Sequence, residues 1–546
     1  MSTQSERFTE AAAKLGGALA KLAIPSANAP TLNSTSATPA DSSGFTNIGL
    51  NFVDATKLNV IGDKVVIDAA SINGDIEGLL ADLQALGLEG GSTWGNMVSG
   101  LMPIASLEAA SAIENLNFAR GGQSRTNVGS VENEADAAQQ ADQIRASDGL
   151  DGTGITIGIM SDSYDNLGGE AADIASGDLP NDVTVLLDLG SGGIDEGRAM
   201  AQLVHDIVPN ADLLFRAAFL GQADFANGIG QLVAAGADVI TDDIFYFAEP
   251  FFQDGVIAQA ADQAVADGVA YYTSAGNSSD NSYEATYSNS GQTITYTNNN
   301  NVSVTGTLHD FDAGAGVDTT QSLTFQAGGS FTLGFQWDNP FSSISAGSGG
   351  AIEDYDILLT DNTGAIIANL SASSSTIGGD PVEIFQIDNN GASAVQANLS
   401  IVRTNQGAQA TDNFIKYVLY RSGGVAVNEF DTQSSTAVGH SNAADAISVG
   451  AAFFGQTPEF GLSPPRLESF SSVGRTDIFF DTNGARLATP EQRVSPDLVG
   501  VDGSNNTFFG SDTGADADSN PNFFGTSAAA PMWRRLPHSF FNSIQT

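Results

Sequence analysis

The sequence predicts an α/β fold in which a parallel-sheet domain is split by an inserted all-β sandwich and preceded by a small α+β domain. Three observations carry this. Strand and helix patterns alternate between residues 154 and 277, which implies a parallel sheet covered on both faces. Residues 281–435 turn Thr-, Ser-, Asn- and Gly-rich with alternating segments such as TITYT, SLTFQAG and IKYVLYR, the pattern of a sandwich or jelly roll. At about residue 436 the α/β character returns with SNAADAISVGAAFF (441–454), so the β segment reads as an insertion in a loop.

In chain order, residues 1–45 end in SANAPTLNSTSATPADSSG, a linker composition expected to be disordered. Residues 46–125 form the small domain. There KVVIDAA (64–70) reads as a strand and GDIEGLLADLQALGLEG (74–90) as a helix closed by glycine. WGNMVSGLMPI (94–104) reads as a strand, SLEAASAIENL (106–116) as a helix and NFARG (117–121) as a short strand. The first part of the main domain spans 126–280 and opens on a polar helix over 131–146. Strands follow at 154–165, 183–190, 211–219, 237–244 and 269–277, with helices at 195–208, 225–236 and 256–268 between them. In such sheets sites form at the carboxyl ends of strands, where Asp162, Asp242, Asp243 and Asn277 lie. The second part spans 436–546. Its last helix, starting near Ser527, is expected to break at Pro537 after one to two turns, as in a truncated end.

Composition excludes several classes. The formal charge is −45, from 64 acidic and 19 basic residues, so the chain repels nucleic acid and anionic membrane. The absence of cysteine removes disulfides, thiolate catalysis and thiolate zinc sites. Four histidines are too few for a His-rich metal site. No stretch has the length of a membrane span. The N-terminus lacks a basic region feeding a continuous apolar core, so it is a poor secretory signal. An extracellular place, reached by another export route, is expected, with a cytoplasmic one as the alternative.

Residues 523–531 read Phe-Phe-Gly-Thr-Ser-Ala-Ala-Ala-Pro. Gly525 allows a close backbone approach. Ser527 at a helix start can use free N–H groups and the helix dipole, or it is simply a helix cap. A nucleophilic serine needs a base and an oxyanion donor. Asp162 closes one strand, Asp195-Glu196 opens a helix, and Ser274-Ala-Gly-Asn277 places an amide at another strand end. These are the parts of acyl transfer.

With these motifs, and with NAADAISVGA (442–451) and SFSSVG (469–474), the chain resembles the subtilisin-like serine peptidases over about residues 150–280 and 436–531. The resemblance implies that Ser527 is the nucleophile, Asp162 an orienting acid and Asn277 the oxyanion donor. It makes the 46–125 unit similar to a propeptide and the sandwich similar to accessory domains. It departs in one place: where most members read His-Gly-Thr, this chain reads Glu196-Gly197-Arg198. His205 lies nine residues on, roughly 13 Å along and on the opposite face of the helix. His309, His440 and His538 have no matching context. Glu196 is therefore the candidate base, tuned by burial and by Asp162; the related sedolisins use a glutamate in this role. Asp195 and a plain helix-dipole role for Glu196 remain alternatives. Asp242 and Asp243 fall where relatives bind substrate backbone; they line a specificity pocket, hold a cation or are solvated.

The function expected is serine endopeptidase activity on proteins or peptides through Ser527, Glu196, Asp162 and Asn277. No cofactor is needed for that chemistry, and calcium at surface carboxylates is left open. The alternatives are an impaired peptidase fold acting as a binding or adhesion module, and an esterase.

Overall fold

The computed structural model describes Lys14, Leu15, Leu19, Leu22 and Ala23, and residues 60–121, 134–297, 302–345, 349–369, 376–408, 413–516 and 519–532. The expected helix break at Pro537, His538 and most of the 1–45 segment lie outside the described residues. Leu15 and Leu19 are an exception to the disorder expected there: both are buried in the core of the small domain.

The small domain is an antiparallel sheet built from β1 (Val60–Ile61), β2 (Lys64–Ser71), β3 (Glu89–Trp94), β4 (Met97–Pro103) and β5 (Leu116–Gly121). Helices α1 (Ile76–Ala85) and α2 (Leu107–Ser111) complete it. The expected 74–90 helix stops early and residues 89–103 fold as a hairpin, because Gly95 turns with φ +54°. The expected 131–146 helix is two pieces, α3 (Glu134–Ala138) and α4 (Ala141–Asp148), separated at Gln140 with φ +58°.

The main domain holds a seven-stranded sheet in which every pair is parallel. Its strands are β6 (Thr156–Ser161), β7 (Thr184–Leu187), β8 (Asp212–Ala217), β9 (Val239–Asp242), β10 (Ala270–Ser274), β20 (Ile447–Phe453) and β23 (Leu498–Asp502), in the order β23-β20-β10-β9-β6-β8-β7. The helices among them are α5 (Glu170–Ser176), α6 (Glu196–Ile207), α7 (Gln222–Ala234), α8 (Val256–Ala266) and the short α9 (Thr526–Ala529). Every residue of α6 from Glu196 to Val204 is buried, so its polar members must find internal partners. Arg198 does: it pairs with Asp173 and Asp195, donates to the Tyr164 carbonyl and lies over the Phe508 ring.

Between β10 and β20 the chain forms nine antiparallel strands, β11 to β19, running from Ser282 to Val427. Phe325, Leu333, Trp337, Tyr355 and Ile401 lie in a core of their own. Two extended contacts fix the neighbours of the parallel sheet. Gly221 precedes α7 and offers no side-chain cap; instead Asp68 and Ser99 of the small domain accept the Gln222 and Ala223 N–H groups at 2.9 Å, satisfying helix-start donors. Gln336 of β14 (Gln321–Trp337) accepts from Phe251 N–H and donates to the Glu249 carbonyl.

Candidate active site

The carboxyl ends of β6, β9, β10 and β23 converge on the start of two helices, α6 and α9. Asp162 follows β6. Its carboxylate accepts the Ile194 N–H at 2.5 Å and the Glu196 N–H at 3.0 Å. Asp162 therefore orients the backbone entering α6 rather than the Glu196 side chain. Asp195 caps this entry with φ +61°. It accepts from Ser163 Oγ, Asn166 N–H, Leu167 N–H and Arg198, a set of bonds that holds a conformation aspartate tolerates better than most residues. Asp195 is thereby tied into the helix entry and has no free carboxylate oxygen for a substrate.

Ser527 is the second residue of α9 and is buried. Gly525 lies two residues before it with φ +122°, a conformation that side chains rarely adopt and that makes the position need glycine, and a Cβ there would also sit 3.2 Å from Asn277 Nδ2. Asn277 Oδ1 accepts from Thr526 N–H at 2.9 Å and Thr526 Oγ at 3.0 Å. That bonding directs the Asn277 amide nitrogen away from Thr526, and it donates to no described group. Asp502, at the end of β23, accepts the Gly525 N–H at 2.9 Å. Burial, with Glu468 adding, pushes the Asp502 carboxyl up to about 8. The turn leading to Ser527 thus has an asparagine on one side and a buried carboxyl on the other, the second of which sequence reasoning missed.

Glu196 is fully buried, and neither carboxyl oxygen has a hydrogen-bond donor in good geometry among the described residues. The same holds for both oxygens of Asp243. The two groups face each other. Two carboxylates cannot bond to one another, but a carboxylate and a carboxylic acid can. Burial first, then Asp243, then Asp162 push the Glu196 carboxyl well above its ordinary value, while the nearby Ser527 hydroxyl favours the ionised form. Burial pushes Asp243 up to about 8, with Asp162 and Asp242 adding, against hydrogen bonds from Glu196 and Ser161. Asp162 is raised to about 6, chiefly by burial. A serine hydroxyl thus meets a carboxyl pair able to hold one proton, and an unengaged amide lies beside the turn that leads to that serine.

Asp242 and Asp243, expected to face substrate, are both buried. Asp242 instead accepts from Thr273 Oγ at 3.1 Å and contacts His440 Nε2 at 3.0 Å. Strand periodicity explains the split, because successive side chains leave opposite faces of a sheet. Of the other histidines, His205 is half-buried in the last turn of α6. His309 contacts the Tyr283 hydroxyl inside the β core, where burial lowers it to about 4.

Asn277→Asp keeps the acceptor used by Thr526 and removes the amide donor. If Asn277 holds an oxyanion, kcat on a peptide substrate at neutral pH falls by about 10²–10³, or about 2.7–4 kcal/mol. An unchanged kcat excludes that role.

No family model and no curated protein matches this chain. Among solved structures it is similar to the Clostridium perfringens CspB protease, with 12% identity over 73% of this chain and 86% of that one, at a TM-score of 0.38. It is similar to MycP1 with its N-terminal propeptide removed, with 11% identity over 74% of this chain and 82% of that one, at a TM-score of 0.26. A third likeness is to the self-cleaved protease domain of PatA, with 26% identity over 24% of this chain and 52% of that one, at a TM-score of 0.19.

Proposed function

We propose that this protein is a serine endopeptidase of the subtilisin-like class with a carboxyl base. The observation that carries the reading is the Ser527 hydroxyl at a buried helix start, beside the Glu196 carboxyl and the Asn277 amide. In the proposed reaction Ser527 Oγ bonds to the scissile carbonyl carbon as its proton passes to Glu196. The carbonyl π electrons move onto oxygen, which the Asn277 amide and the Ser527 N–H stabilise. Collapse expels the amine, which takes the proton from Glu196. Water then hydrolyses the acyl-enzyme by the same route. The Glu196–Asp243 pair shares one proton, and the reactive form is the one with that proton on Asp243, which leaves Glu196 ionised toward Ser527. Asp162 holds the helix entry in place.

The test is incubation of the full chain with casein and with a fluorophosphonate probe. Covalent labelling and casein cleavage are expected in the unsubstituted protein, and both vanish in Ser527→Ala. Absence of labelling in the folded, unsubstituted protein overturns the reading in favour of a binding module, and ester cleavage without peptide cleavage favours an esterase.

A further inference from the structure

His440 is buried on the opposite side of the sheet's carboxyl edge from Glu196, where the chain re-enters the main domain after the β insertion. Its Nε2 lies 3.0 Å from Asp242 Oδ1 and its Nδ1 lies 2.8 Å from Glu249 Oε2. Its backbone N–H donates to the same Glu249 oxygen at 2.8 Å. Gly439 makes this double contact sterically feasible: it has φ +67°, and a Cβ there would meet Glu249 Oε2 at 2.7 Å. Phe225 meets the ring edge-on.

A neutral imidazole donates from one nitrogen and accepts at the other. Here both nitrogens face carboxylate oxygens, which only accept, so both must carry protons. Burial alone would push the ring down, but Glu249 and Asp242 outweigh it and raise it to about 10. The remaining titratable neighbour is Tyr271, whose hydroxyl faces Asp242 and is held far above its ordinary value by burial.

We propose that His440 is a buried, permanently charged positioning residue of the active site, whose imidazolium offsets Asp242 and thereby keeps the Glu196–Asp243 pair able to ionise. The link runs through adjacent residues: Asp242 is bonded to His440, and its charge acts on Asp243, which faces Glu196. Asp162 and the hydroxyls of Ser161 and Ser527 complete the groups facing that pair. With His440 charged, the Asp242–His440–Glu249 group carries one net negative charge. Without the imidazolium it carries two, which makes Glu196 and Asp243 hold their protons to higher pH.

The catalytic half of this inference rests on the peptidase reading; the charge of His440 does not. In full-length, ¹⁵N-histidine-labelled Ser527→Ala protein, both ring nitrogens of His440 are expected to be protonated at pH 8. The signal is assigned by its loss in His440→Gln. A neutral ring at pH 8 overturns the proposal whether or not the protein is a peptidase. In the active protein, His440→Gln is expected to move the acid limb of the labelling rate upward by about one pH unit. His440→Gln with Glu249→Gln restores the charge count and should move the limb back. A folded His440→Gln protein with an unmoved limb, or a double variant that fails to restore it, overturns the positioning role.

Discussion

Glu196→Gln is expected to lower the acylation rate by on the order of 10⁶-fold, the scale found when a serine peptidase loses its nucleophile or base. Gln has nearly the same shape and still fits the closed site, but it cannot take the Ser527 proton. The loss would not reflect unfolding. Glu196 is buried with its carboxyl raised well above the ordinary value, so the ionised form is destabilised by the fold, and a neutral amide removes that penalty at neutral pH. The combination to look for is an unchanged or higher urea midpoint with loss of fluorophosphonate labelling. Labelling at near-normal rates in Glu196→Gln would assign the base elsewhere. The unsubstituted protein should show a bell-shaped rate profile. On the acid side both members of the pair are protonated and no base remains; on the alkaline side the pair loses its second proton, and two facing carboxylates repel. The two limbs belong to the pair rather than to either residue.

Asp243→Asn carries the second large expected effect, on stability against pH. Asp243 has a folded-state value of about 8 against 3.8 for the free group. The folded protein therefore binds a proton that the unfolded chain has released, so stability from this group is full at low pH. It is lost as pH rises from about 4 through about 8, at up to about 1.4 kcal/mol per unit. Asp502, raised to about 8, and Asp162, raised to about 6, act in the same direction. Asn at position 243 cannot titrate and can still donate to Glu196. Urea midpoints at pH 4, 6 and 8 should fall less steeply in Asp243→Asn than in the unsubstituted protein, with the variant the more stable at pH 8. Parallel slopes would mean that Asp243 titrates normally in the fold.

Much of the architecture was legible because it is periodic. The β6–β10 run of strands and the helices α6, α7 and α8 read from alternating apolar patterns, α5 did not, and the antiparallel region read from its change of period and composition at residue 281. Misreadings came where one residue changes the chain direction. The turn at Gly95 pairs residues 89–94, the end of the expected helix and the stretch after it, with the expected strand as β3 against β4, and Gln140 in a left-handed conformation breaks the expected long helix. Leu15 and Leu19 sit in a segment whose Ser-, Thr-, Ala-, Pro- and Asn-rich end predicts disorder, yet they lie in a core assembled with residues 65–119.

For the site, sequence alone determined the residue types and their placement at strand ends and helix starts: Ser527 after a glycine, Glu196 at the start of a helix, Asn277 and Asp162 just past strand ends. Those features depend on local chemistry and spacing. The pairing among them was decided only by the tertiary structure. Asp162 bonds the backbone entering α6, while Asp243, one residue past β9, faces Glu196. Asp242 turns to the other side of the sheet and meets His440, almost two hundred residues away. Proton sharing depends on distances of a few ångströms and on exclusion of water, and residues distant along the chain acquire both only when the sheet and its insertion close around them.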